Sequence, residues 1–158
     1  MCSQAVVSDA GEVASVLEAG LSVVPPQSRY AEAIGFGIDL GRSGLATEDA
    51  LDRLHERYGH LHWVHVLNNA ALAAYALTMS DGDFETAICT AVMGGWDTDS
   101  VGATVGSVCG ALTGARRLPS KWVEPLRNRV ASSLPGLDGI GLDTLADRTL
   151  ALAGKVGS

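Results

Sequence analysis

Residues 94–114 read GGWDTDSVGATVGSVCGALTG, and they contain the most informative pattern of the chain. Glycine recurs every four residues from Gly102 to Gly114, so the glycines lie along one face of a helix that begins near Asp97. Each glycine inside a helix costs roughly 1 kcal/mol of stability relative to alanine. We therefore expect a compensating contact, in which the backbone of another helix packs directly against this bare face.

Three oxygen donors stand at the start of this helix, namely Asp97, Asp99 and Ser100. Hard divalent cations such as Mg²⁺ prefer carboxylate and hydroxyl oxygens. Gly94 and Gly95 allow the backbone to turn sharply and to approach a ligand closely. The alternative is that one of the two aspartates merely caps the helix, which is a common role for aspartate at this position.

Helical spacing of apolar residues continues through most of the chain and predicts an all-α fold of about seven helices. Asp9, Ser28 and Thr47 are the expected capping residues of the first three helices. Residues 60–66 fit either a short strand or an extended connector. The sequence shows no repeat and no internal domain boundary, so residues 1–158 are assigned to a single domain.

The overall composition excludes several classes of protein. Hydrophobic residues make up 47% and charged residues 18%, which excludes a disordered chain. The net charge of −7 disfavours nucleic acid as a partner. No signal peptide or segment long enough to span a membrane is apparent, and the three widely spaced cysteines form no disulfide framework. We therefore expect a soluble cytoplasmic protein without a membrane partner.

All four histidines lie within residues 55–65. The spacing of His60, His62 and His65 is compatible with zinc, although no cysteine or acid nearby completes the set. If a helix begins at His65, then His65, Asn68 and Asn69 share one face. Such polar residues either cap and bridge neighbouring helices or line a polar cleft. Cys109, inside the glycine helix, is expected to be an inert buried thiol.

Several segments together resemble the ADP-ribosylglycohydrolase family. The most specific segment is Gly94–Ser107, and the resemblance extends over about residues 9–152. The supporting segments are Ala19–Pro25, Ser28–Ile34, His65–Leu72, Gly82–Glu85 and Leu118–Trp122.

The resemblance implies an orthogonal bundle of helices with a binuclear Mg²⁺ or Mn²⁺ centre. It also implies hydrolysis of the glycosidic bond between ADP-ribose and an acceptor, which is a protein or a small molecule. Asp97 and Asp99 correspond to catalytic residues, and together with Ser100 they correspond to metal ligands. The positions implied to bind substrate are His65, Asn68, Asn69, Gly94, Gly95 and Trp96.

One part of the family pattern is missing. The family carries an early [Ser/Thr]-Asp-Asp motif that supplies the other metal ligands, whereas this sequence has no Asp-Asp dipeptide. Thr47-Glu48-Asp49 is the nearest match. The chain is therefore expected to be the C-terminal half of the fold, truncated at its N-terminus and active only with an N-terminal half as partner. Two alternatives are an inactive fragment or scaffold and a small helical protein that binds a metal or another protein.

Overall fold

A computed structural model of the protein describes residues 12–156. These residues form eight α-helices and one short antiparallel hairpin, which confirms the predicted all-α fold. None of the helices in this part of the chain has the length and apolar character needed to cross a membrane. The helices are α1 (Val13–Leu21), α2 (Arg29–Arg42), α3 (Thr47–Tyr58), α4 (Val66–Ser80), α5 (Phe84–Met93), α6 (Thr98–Thr113), α7 (Ser120–Val123) and α8 (Leu142–Val156).

The chain divides into two compact units, one ending at Arg117 and the other beginning at Leu118. Helices α1 to α6 and a 3-10 turn at Ala115–Arg117 belong to the first unit. The second contains α7, a 3-10 turn at Glu124–Leu126, the paired strands β1 (Arg129–Val130) and β2 (Ile140–Gly141), and α8. The assignment of residues 1–158 to a single domain stays a prediction.

The local signals for helix starts are only partly confirmed. Ser28 caps α2 as predicted, because its Oγ accepts a hydrogen bond from the Ala31 N–H at 3.1 Å. The predicted cap by Thr47 is wrong, since Thr47 is already helical and Ala46 precedes the helix without a side-chain cap. Asp9 lies outside the described residues. The undecided stretch before α4 consists of turns rather than a strand.

Helix α4 is the centre of the first unit. It is buried along most of its length, with apolar contacts to α2, α5 and α6. Its pairing with α2 is the most extensive helix pairing among residues 12–156. A Cβ added at Gly37 would overlap the carbonyl oxygen of Ala71, and one at Gly41 would lie 2.6 Å from the Thr78 Cβ. Helices α2 and α4 therefore approach each other closely at Gly37 and Gly41, two of the three glycines of α2.

The glycine face of α6 packs on α5, but through side chains. A Cβ added at Gly102 would lie 3.6 Å from a methyl group of Val92, which is ordinary contact. The α5 side chains that cover the bare face are Phe84, Ile88 and Val92, spaced four residues apart. The predicted backbone contact at this face is therefore wrong, because these large side chains keep the two backbones apart.

Candidate metal centre

The segment between α5 and α6 turns the chain sharply. Helix α5 ends at Met93 with Gly94 as its C-cap, and the next two residues both have a positive φ, +75° at Gly95 and +58° at Trp96. Gly95 adopts this conformation readily, whereas a large aromatic residue adopts it only when its surroundings impose it. The predicted start of a helix near Asp97 is confirmed, since α6 begins at Thr98.

Asp97 stands at the N-cap position of α6 and does not cap the helix with its side chain. Its backbone angles, φ −87° and ψ 72°, lie outside the extended region in which a capping side chain reaches the first turn. Asp99 lies within that turn and so is not an N-cap. The capping alternative is therefore wrong for Asp97, because its carboxylate makes no capping hydrogen bond.

The three oxygen donors differ in their exposure. Asp97 is half-buried, whereas Asp99 and Ser100 are exposed in the first turn of α6. The positive end of the helix dipole favours the two carboxylates in this position. Their chemistry fits a hard cation such as Mg²⁺ or Mn²⁺.

The number of donors does not complete a metal shell. Among residues 12–156, no three or more His, Cys, Asp and Glu side chains are grouped so as to hold a metal. This finding applies to His60, His62 and His65 as well, so the zinc alternative gains no support. Mg²⁺ takes about six oxygen ligands, and two carboxylates with one hydroxyl supply only part of such a shell.

Asn69 connects the candidate metal ligands at the start of α6 to the start of α4. Its Oδ1 accepts a hydrogen bond from the Asp97 N–H at 3.2 Å. Its Nδ2 donates to the carbonyl oxygens of Trp63 at 2.8 Å and His65 at 2.9 Å. One side chain therefore fixes three backbone positions, one of them at Asp97 itself.

The two polar neighbours of Asn69 also have structural partners. Asn68 is fully buried and donates to the His62 carbonyl oxygen at 3.2 Å. His65 caps α4, because its Nδ1 accepts from the Leu67 N–H at 3.2 Å. Of the two roles considered for this polar face, capping and bridging is the one that the contacts show. Substrate binding by these residues stays a prediction.

Gly94 is required by packing. Its own backbone is in the ordinary helical region, but an added Cβ would lie 2.7 Å from the Leu72 Cδ2 atom. Leu72 is completely buried, so it has little room to move. Gly94 therefore brings the end of α5 directly onto the core of α4. Contact of Gly94, Gly95 or Trp96 with substrate stays a prediction.

His55 also contacts this segment, which the sequence alone did not reveal. Its Nε2 lies 2.8 Å from the Gly94 carbonyl oxygen, within hydrogen-bond distance. Its ring stacks on Trp96 with the centroids 4.3 Å apart and the planes tilted by 30°. No local pattern identifies such a residue, since its partner is 39 positions away in sequence.

An open cavity of about 180 Å³ adjoins the candidate metal ligands within the first unit. Apolar side chains of α1, α2, α4 and α6 form most of its wall, and Asn69, Ser100 and Thr104 are polar members of the lining. Val66, another lining residue, is 58% exposed. The candidate metal ligands therefore border an apolar surface that is open to solvent.

Cys109 is excluded as a nucleophile. It is completely buried, and this burial raises the pKa of its thiol to about 11. A thiol with such a pKa holds almost no thiolate at neutral pH, and the thiolate is the reactive form. The prediction of an inert thiol is confirmed.

Comparison with known proteins gives one match. The family model described as ADP-ribosylglycohydrolase matches residues 1–157. No curated protein and no solved structure matches the chain.

Proposed function

The chain belongs to the ADP-ribosylglycohydrolase family, and on this premise we propose that it serves in the Mg²⁺-dependent hydrolysis of the glycosidic bond between ADP-ribose and an acceptor. The acceptor is a protein side chain or a small molecule. The proposal applies equally to Mn²⁺, because both cations prefer oxygen ligands.

The observation that carries the proposal is the state of the Asp97 side chain. An aspartate at the start of a helix normally accepts a hydrogen bond from the first turn, and this one does not. With Asp99 and Ser100 exposed in the same turn, the start of α6 presents two carboxylates and a hydroxyl, and the Asp97 carboxylate makes no capping hydrogen bond. These three residues would hold the cation.

Contacts with α4 fix the position of the three oxygen donors. Asn69 holds the backbone of Asp97 through its N–H group, and Gly94 seats the preceding turn against Leu72. Because these partners belong to the buried helix α4, the donors are fixed relative to a rigid element. A bound divalent cation would polarise and orient the ribose hydroxyls and water.

Asp97, Asp99 and Ser100 together with water can complete the shell of one Mg²⁺, but a binuclear centre needs further carboxylates. We propose that a further polypeptide segment, an N-terminal half, supplies them. The apolar cavity beside Ser100 gives such a segment a place to pack, because burying exposed side chains such as Val66 is favourable. Bound there, the segment would bring its carboxylates next to the start of α6.

The test is the release of ADP-ribose from a modified protein and from a small ADP-ribosyl conjugate, with Mg²⁺, with Mn²⁺ and with EDTA. The chain alone is expected to release little or none. Addition of a separately expressed N-terminal segment of a family member, carrying the [Ser/Thr]-Asp-Asp motif, is expected to restore release. Asp97→Asn should then abolish it, while the matched variant Asp83→Asn at the start of α5 should not.

Two results would overturn parts of the proposal. Rapid release by the chain alone, lost in Asp97→Asn, would contradict the claim of an incomplete ligand set. If a complex with the N-terminal segment forms but releases nothing with either metal, the chain is the inactive scaffold of the alternative interpretation.

A further inference from the structure

The segment Gly94–Asp97 is held in a conformation that its own sequence does not favour. Trp96 has a φ of +58°, in the left-handed region that bulky side chains rarely occupy. Such a conformation persists only where surrounding contacts fix it, and such residues cluster at functional sites. The residues that contact this segment therefore determine where Asp97 and Asp99 point.

Contacts reach the segment from two helices. From α4, Asn69 accepts a hydrogen bond from the Asp97 N–H at 3.2 Å. From α3, His55 lies within hydrogen-bond distance of the Gly94 carbonyl oxygen, at 2.8 Å, and its ring stacks on Trp96. The two helices thus fix opposite ends of the segment, before and after the residue with the unfavourable φ.

His55 is itself well placed to act as a fixed support. The neighbouring α3 residues Leu51, Leu54 and Tyr58 are buried and anchor the helix in the core. His55 lies on the exposed side of α3, so its two contacts with the segment are not needed to fill the core. Because His55 lies outside the core and contacts both Gly94 and Trp96, its contacts act on the conformation of the segment.

We infer that His55 is a positioning residue that holds the segment Gly94–Asp97 so that the donors at the start of α6 face a common ligand. This inference rests on the proposed function for the identity of that ligand. It assigns to His55 no contact with substrate or metal.

The first experiment separates the two contacts of His55. His55→Phe keeps a ring to stack on Trp96 and removes the donor, His55→Gln keeps a donor and removes the ring, and His55→Ala removes both. His60→Phe, at an exposed histidine in the turn after α3, is the matched control. Exchange of the Asp97 amide with deuterium, followed by NMR, reports how often the segment opens.

Loss of one such contact is expected to accelerate exchange at Asp97 by about threefold to tenfold, because the free energy of one hydrogen bond or ring contact changes an opening equilibrium by that factor. His55→Ala should show the largest acceleration and His60→Phe none. Amides in the middle of α4, such as that of Tyr75, should exchange at the wild-type rate. Equal acceleration at Asp97 and Tyr75, or none at either, would overturn the inference.

The second experiment measures Mn²⁺ binding through the electron paramagnetic resonance signal of the free ion. Residues that orient metal ligands typically contribute about tenfold to 100-fold in affinity. We expect a loss of this size in His55→Ala and a partial recovery in His55→Gln and His55→Phe. Wild-type affinity in His55→Ala, despite faster exchange at Asp97, would contradict the positioning role.

The two measurements distinguish failure of the inference from failure of the proposed function. If Asp97→Asn binds Mn²⁺ as well as the wild type does, the proposed metal site fails. In that case the exchange rates at Asp97 still decide whether His55 holds the segment.

Discussion

Helices α5 and α6 begin with the same sequence pattern and use it differently. Each starts with an aspartate, followed by an acid two residues later and a hydroxyl three residues later, as Asp83-Phe84-Glu85-Thr86 and as Asp97-Thr98-Asp99-Ser100. At α5 the Asp83 carboxylate accepts a hydrogen bond from the Thr86 N–H at 2.9 Å. At α6 the Asp97 carboxylate makes no such bond.

The difference originates in the backbone before each helix. Asp83 has ψ 118°, in the extended region that directs a capping side chain toward the first turn, whereas Asp97 has ψ 72°. Gly95 and Trp96 impose a different approach on α6, and Asn69 fixes it through the Asp97 N–H. The same pattern therefore stabilises one helix and is left available for a ligand at the other.

The largest effect is expected in cation binding by the two aspartates. Asp97→Asn should weaken Mn²⁺ binding by about 100-fold or more, about 2.7 kcal/mol, because a neutral amide replaces an anionic ligand. Asp83→Asn should leave the affinity unchanged. Titration calorimetry on both variants, with the wild type as reference, measures this contrast. Equal losses in the two variants would mean that bulk charge, and not the start of α6, attracts the cation.

The second effect concerns the glycine that seats the turn before α6. Gly94→Ala should lower the free energy of unfolding by about 2 kcal/mol, because the new methyl group would be forced against the buried Leu72. Gly102→Ala is the matched control, since its methyl group would meet Val92 at an ordinary 3.6 Å. That control should be neutral or up to about 1 kcal/mol more stable, through better helix propensity. Urea unfolding gives both values, and similar values for the two variants would contradict the packing at Gly94.

Much of the fold follows from local sequence, because the helices are specified by residues close together in the chain. The spacing of Phe84, Ala87, Ile88, Ala91 and Val92 predicts α5, and within this stripe Ala87 and Ala91 are buried, Phe84 and Ile88 are partly buried and Val92 is exposed. What the sequence does not contain is which helices meet. The regular glycines of α6 suggested a backbone contact, yet a close approach is made by Gly37 and Gly41 of α2.

The position of the candidate site was predictable from the sequence, but the contacts that hold it in place were not. The donors at the start of α6 are evident from residue type and from the glycines around them. Whether Asp97 caps its helix was not decidable, because the pattern at Asp83 is the same and does cap. The contact of His55 with Gly94 spans 39 residues, and no local pattern contains it.

The third effect is on stability at the two helix starts. Asp83→Ala should cost about 1 kcal/mol, the usual contribution of an N-terminal cap. Asp97→Ala should cost about 0.5 kcal/mol or less, because only its interaction with the helix dipole is lost. Urea unfolding at neutral pH in the presence of EDTA compares the two without any contribution from a cation. A larger loss in Asp97→Ala than in Asp83→Ala would mean that Asp97 has a structural role.

The smallest effect is the pH dependence of the cap at α5. Hydrogen bonds from the Thr86 side chain and from its backbone N–H hold the pKa of Asp83 below the usual aspartate value. When the pKa of a carboxyl group is lower in the folded state, the group stabilises the fold at pH values above its unfolded-state pKa of about 3.9. This contribution is lost as the pH falls through the folded-state pKa.

Asp83→Asn provides the comparison, because asparagine caps about as well and does not titrate. The stability of the wild type relative to this variant should therefore be constant above about pH 5 and fall by a few tenths of a kcal/mol toward about pH 2.5, a small change because the carboxylate is exposed. Urea unfolding of both proteins across this range measures the difference, in which the other acidic groups cancel. A difference that stays constant over this range would show that the Asp83 cap does not depend on the charge of its carboxylate, and one that rises as the pH falls would show that folding raises the pKa of Asp83 instead of lowering it.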